Sequence, residues 1–242
     1  MESVKVMISY EKPSRLLKYA NKPKGTVNNI ILDPAYADLL AIVKAARNGA
    51  VYGAKVRFPH ALVMVFLFRS GSLRSKLFLV LKATRQHARN LALFASLYKT
   101  LLLLLRSARP SGKEARADTF LAGLLGGYYV FGRGMQSSVN QQIVIYVFAR
   151  VVLALAKLSV QGRDGRGGIG GGLQEMVKGE GRAGQGFAWA WPVFASLSWG
   201  GVMWIYRWHP DVVQPSLRSS MKYIYSNADH WDSFRNFLVH NT

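Results

Sequence analysis

Residues 47–76 read RNGAVYGAKVRFPHALVMVFLFRSGSLRSK, and the fold turns on how this stretch is placed. Residues 48–68 have the length of a membrane-spanning helix, which needs roughly 20 residues to cross a ~30 Å hydrocarbon core. Yet Lys55, Arg57, Pro59 and His60 sit near the middle, and the cleanly apolar run 61–68 is too short to span alone. At about 100° per residue, Gly49, Gly53, Arg57, His60 and Met64 share one side of a helix. Gly49 and Gly53 form a GxxxG pair, which admits a second helix backbone at close range. Arg57 and His60 are then expected to face protein or a wet cavity, with Val51, Phe58 and Leu62 toward lipid. A charge at bilayer depth costs ~2.5–3.5 kcal/mol on insertion scales, which is why it normally faces inward. Pro59 is expected to kink or break the helix. The alternative is a cationic interfacial helix ending before Pro59, followed by a short buried one.

Composition supports a membrane setting. The chain has 242 residues, 50% hydrophobic and only 18% charged, with 32 Lys+Arg against 12 Asp+Glu. A net charge of +20 suits nucleic acid or an anionic membrane surface. The long apolar runs favour the membrane and argue against a soluble nucleic-acid binder. No acid lies between Asp38 and Glu114, or between Asp118 and Asp164. Cations there must meet lipid phosphates, water, carbonyls or acids distant in sequence. The absence of cysteine excludes disulfide and thiolate chemistry. The first 25 residues lack the long apolar core of a secretory signal. The ending His240-Asn241-Thr242 is not a peroxisomal-matrix tripeptide.

Residues 1–32 read as a flexible basic arm. Asp33 and Pro34 form a helix-start signal, and Leu39, Ile42, Val43 and Ala46 give the next segment an apolar face. Arg69, Arg74, Lys76, Lys82, Arg85 and Arg89 alternate with Leu73, Leu77, Val80 and Leu81. That pattern predicts a basic amphipathic helix on a membrane surface or against a partner. Residues 91–105 form an apolar span whose Lys99 either snorkels or faces the bundle interior. Residues 119–132 are uncharged and glycine-rich. Gly123 and Gly127 make a second GxxxG, with Ala122 and Gly126 a small pair beside it. Glycine costs ~1 kcal/mol in a helix interior, so its density here points to close helix packing. Residues 139–160 form another span, with Arg150 near its middle. Residues 161–186 are a glycine-rich linker whose two GxGxxG matches follow no strand and carry no nucleotide-binding reading. Residues 187–206 are an uncharged run with Trp189, Trp191, Trp204 and Tyr206 at its ends, as in an aromatic belt. After it, Pro215 and Ser216 start a helix on which Leu217, Met221 and Ile224 share a face.

Two stretches carry a resemblance. NGAVYGAKVRFPHALVMVFLFRSGSL at residues 48–73 is similar to the peroxisomal membrane protein 4 family, within the superfamily of mitochondrial inner-membrane protein translocases. Gln214, Pro215, Ser216, Leu217, Ser219, Ser220, Met221, Tyr223, Tyr225 and Trp231 resemble the same family. So does the order in 88–160: a span ending in basic residues, Asp118, a glycine-rich span, then another span. The amino-terminal arm and the glycine linker lie outside the likeness. It implies a multi-pass protein of the peroxisomal membrane that meets a cytosolic receptor for such proteins, with a mitochondrial translocase-like subunit as the alternative.

The expectation is an all-α, multi-pass transmembrane bundle. Its four core helices are 47–68, 88–106, 119–134 and 139–160, with a fifth at 187–206 and flanking interfacial amphipathic helices. The units are the arm 1–32, a translocase-like bundle 33–160, the linker 161–186 and a carboxy-terminal part 187–242. The arm is placed in the cytosol. Gly49, Gly53, Gly123, Gly126 and Gly127 are candidates for helix packing. Arg57, His60, Lys99 and Arg150 are candidates for an intramembrane polar cavity. His60, His87, His209, His230 and His240 show no metal-ligand spacing, and no nucleophile motif is present. No enzyme activity, metal or cofactor is expected. The expected partners are the lipid bilayer, the import receptor and a second copy of the chain.

Overall fold

A computed structural model describes residues 26–133, 138–161 and 190–239. The described residues form helices and turns, with no strand among them. A short helix, α1 (Thr26–Leu32), precedes Asp33, whose carboxylate accepts from the Ala35 amide at 2.9 Å. With Pro34 at the first position, a tight turn Pro34–Tyr36 leads into α2 (Ala37–Phe68). Ser72 caps α3 (Leu73–Ser107). The intervening Gly71 has φ 125°, a conformation that L side chains rarely adopt, and it lets the chain reverse there. Then come α4 (Arg116–Gly127), extended by a π-helical turn Tyr128–Gly132, α5 (Ser138–Gln161) and α6 (Ala190–Trp208). Last are α7 (Pro215–Met221), extended by the turns Lys222–Ser226 and Asn227–Asp229, and α8 (Phe234–Leu238).

Several expected boundaries are corrected. The helix expected at 47–68 begins at Ala37 and continues through Pro59 without a break. The separate interfacial helix before it and the alternative that ends before Pro59 both fall away. Likewise, the basic segment 69–89 and the span 88–106 are one helix of 35 residues. No glycine or proline interrupts residues 73–107, so nothing in the backbone chemistry stops propagation. The end of the expected arm is helical and docked: Ile31 is buried, and its carbonyl accepts from Trp231 Nε1 at 2.8 Å. The glycine linker lies outside the described residues, apart from Gln161 at the end of α5.

α2 and α3 form an antiparallel hairpin. At ~1.5 Å per residue they are about 48 and 52 Å long, more than the ~30 Å hydrocarbon core. Both are long and apolar enough to cross a membrane. Toward the Phe68–Leu73 turn the hairpin is apolar on the outside, with Leu67 and Phe68 each 70% exposed. Val63, Phe66, Leu77, Phe78 and Leu81 extend that surface, which would be a liability in water.

α4 runs antiparallel to α6. Gly123 meets Trp199 and Gly200, Gly127 meets Ala195 and Ser196, and Gly132 meets Pro192. Phe94 of α3 centres the core, its ring 4.0 Å from Trp199, 6.0 Å from Phe131 and 6.4 Å from Tyr225. α5 lies along α6, with Phe148 4.7 Å from Phe194 and Val151 against Gly201. Sequence numbers rise together across that contact, so α5 and α6 run in the same direction. A simple serial up-and-down order of five crossings therefore does not describe the fold. The carboxy-terminal segment folds back onto the end opposite the hairpin turn. There Leu217, Met221, Ile224 and Tyr225 are buried in the common core.

Candidate functional site

The candidate packing glycines sit at helix crossings. A Cβ at Gly49 would lie 2.7 Å from the Leu91 carbonyl oxygen, and one at Gly53 would lie 2.8 Å from Ala88 Cα. At Gly123 the obstacle is the Trp199 carbonyl oxygen at 2.7 Å, and at Gly127 the Trp199 Cβ at 2.8 Å. Gly126 faces the Phe94 ring, 2.9 Å from Cε2. One GxxxG pair thus lies between α2 and α3, and the other between α4 and α6. No side chain fits there without displacing backbone or a core ring.

The four candidate cavity residues are not brought together. Arg57 is half-buried on α2, where its Nη1 donates to Gln142 Oε1 of α5 at 2.7 Å. His60 is exposed one turn along, its Nδ1 3.3 Å from the same Arg57 nitrogen. Lys99 belongs to the other half of the bundle, where its Nζ donates to both Asp229 carboxylate oxygens at 2.7 and 2.8 Å. It does not snorkel: its side chain is mostly buried on the bundle side and is paired with an acid distant in sequence. Arg150 stacks over the Tyr146 ring of its own helix at 4.8 Å. Of the basic segment, Arg69, Arg74, Lys82, Arg85 and Arg89 are exposed, while Lys76 is half-buried over the Phe66 ring at 5.4 Å.

Sequence reasoning missed the contacts that hold the carboxy-terminal segment. Lys44 of α2 is 1% exposed; its Nζ donates to the His230 carbonyl and to Asn236 Oδ1, and it lies 5.8 Å from the Trp231 ring. Fully buried Asn48 donates to the Tyr223 carbonyl at 3.0 Å. The Tyr52 and Ser220 hydroxyls bond each other, and Arg47 donates to the Leu238 carbonyl at 2.7 Å. Complete burial pushes the Tyr225 phenol far above its usual range, so it stays protonated. These partners are separated by 168–192 residues, and no spacing rule links them.

Charge is distributed unevenly along the bundle. Ion pairs gather at the end opposite the hairpin turn: Lys99–Asp229, Arg106–Asp38, Arg109–Asp118 and Arg207–Glu114. Residues 55–89, 128–133 and 138–150, which lie in the other half, contain no Asp or Glu. Among the described residues no group of three or more His, Cys, Asp or Glu is placed to hold a metal ion.

Residues 30–149 match the model of the Tim17/Tim22/Tim23/Pmp24 family. The chain is 41% identical to peroxisomal membrane protein 4 of Homo sapiens over 216 residues, covering 89% of this chain and 91% of that one. It is 40% identical to the Bos taurus protein of the same name over 215 residues, with the same coverage. No solved structure matches. A chain whose described residues hold two membrane-length apolar helices and no strand, similar over nine-tenths of its length to these proteins, belongs to the Tim17/Tim22/Tim23/Pmp24 family and is an integral protein of the peroxisomal membrane.

Proposed function

We propose that the chain is a non-enzymatic, multi-pass structural component of the peroxisomal membrane. The observation that carries this reading is the pairing of a solid interior with an apolar exterior. Each GxxxG pair is closed against a neighbouring backbone, and the outside of the α2–α3 hairpin exposes leucine and phenylalanine. Membrane helices associate through small residues in this way, because lipid offers no hydrophobic drive between them. The exposed cations Arg69, Arg74, Lys82, Arg85 and Arg89 suit headgroup phosphates. By family likeness they also suit a cytosolic receptor that delivers peroxisomal membrane proteins. Replacing these five with Gln tests that role: a tagged chain that still reaches peroxisomes at the wild-type level would rule it out.

A solute-permeability role is the second reading, favoured by the Arg57–Gln142 contact at bilayer depth. The glycine positions leave no passage along the crossings they close, so a path would run between copies in a homo-oligomer. Flux into liposomes holding the purified chain decides. Anion flux that falls when Arg57 becomes Gln favours permeability, and no flux at any protein density leaves the structural role.

A further inference from the structure

We infer that the junction where α2, α3 and α5 meet binds the phosphate group of an anionic ligand. The inference rests on the membrane reading but not on permeability. Three helices converge there. The place of a Cβ at Gly53 is 3.2 Å from the His87 carbonyl oxygen, so His87 lies directly across from α2. Arg57 follows one turn further along α2 and reaches Gln142, while Asn90 of α3 bonds Asn140 and ties down the first turn of α5. Two nitrogens at this junction are buried without a protein partner: Arg57 Nε and His87 Nδ1. Arg57 is permanently charged, and neither of its side-chain contacts, Gln142 and His60, is a carboxylate.

The chemistry that fits these donors is that of an anion. Residues 55–89 and 138–150, the parts of the helices that meet here, carry no Asp or Glu, so no carboxylate of these segments offsets the Arg57 charge. A guanidinium presents a planar fork that matches phosphate oxygens in a bidentate way. A phosphate seated here would accept from Arg57 Nε, with His87 as the second donor when Nδ1 carries a proton. The other half of the bundle has no such need, because Lys99, Arg106, Arg109 and Arg207 each have a carboxylate there. The source is either a phospholipid headgroup or free phosphate.

The test is native mass spectrometry of the purified full chain, equilibrated in detergent with phosphatidic acid and phosphatidylcholine at equal concentration. The expected result is one retained phosphatidic acid, favoured over phosphatidylcholine by about tenfold, the scale of a charge-assisted contact. Arg57→Gln should abolish that preference, Arg57→Lys should keep part of it, and Lys76→Gln should leave it intact. Thermal melting of each variant separates lost binding from lost fold. Inorganic phosphate that displaces the lipid identifies free phosphate as the ligand, and retention in its presence identifies the headgroup. Equal retention of both lipids by the wild type, or an unchanged preference in Arg57→Gln, overturns the inference. A chain that purifies without detergent would instead refute the membrane reading.

Discussion

At the scale of single residues, most of the account rests on glycines and lysines. The two GxxxG pairs were legible because the signal is a spacing, and their geometry follows from it. A methyl group at Gly49 would press on the Leu91 carbonyl, and backbone cannot rotate away. Gly49→Ala is therefore expected to cost about 1–3 kcal/mol, as overpacking does, in an unfolding titration in detergent. Gly201→Ala is the contrast. Its neighbour is the Val151 Cγ1 at 3.2 Å, a side chain that can shift, so the loss should stay under about 1 kcal/mol. Equal losses would mean that the α2–α3 crossing is looser than described. Lys44 was illegible for a physical reason: a lone lysine in an apolar segment gives no hint of a partner 186 residues away.

Among elements, the carboxy-terminal segment depends on polar contacts with α2 and α3. Lys44→Met should leave the His230 carbonyl and Asn236 without this donor and loosen the segment. Limited trypsin digestion in detergent should then cut at Lys222 and Arg235 several-fold faster than in the wild type. An unchanged rate would show that burial of Leu217, Met221 and Ile224 holds the segment without help. Asp229→Asn should act in the same direction but by only about 1 kcal/mol, because Asp229 is 41% exposed and an exposed pair is screened. The apolar face of this segment was readable from Leu217, Met221 and Ile224. Its docking site was not, since periodicity reports which face is buried and never against what. The same limit explains α2 and α3. Their basic, polar and apolar stretches looked like separate helices, but a helix ends where caps or breakers end it, not where its surface changes character.

For the molecule as a whole, direction is the main result. The antiparallel α2–α3 pair places the Ser70–Ser72 turn and the 108–115 connection at opposite ends. The natural absence of cysteine allows a direct check. Single cysteines at Ser72 and Ser111, probed on sealed peroxisomes with a membrane-impermeant maleimide, should label on one side only. Labelling of both without detergent would mean that the hairpin does not cross. The family and the helical class were readable from sequence, because apolar runs and the 48–73 stretch carry them. The shared direction of α5 and α6 was not, since it is set by tertiary contacts such as Val151 against Gly201.

The central claim is that lipid, not water, surrounds the outer faces of α2 and α3. Alkaline carbonate extraction of peroxisome-enriched membranes tests it most directly. The account predicts that the chain stays in the membrane pellet with other integral proteins and enters solution only with detergent. Recovery of the chain in the carbonate supernatant would contradict it.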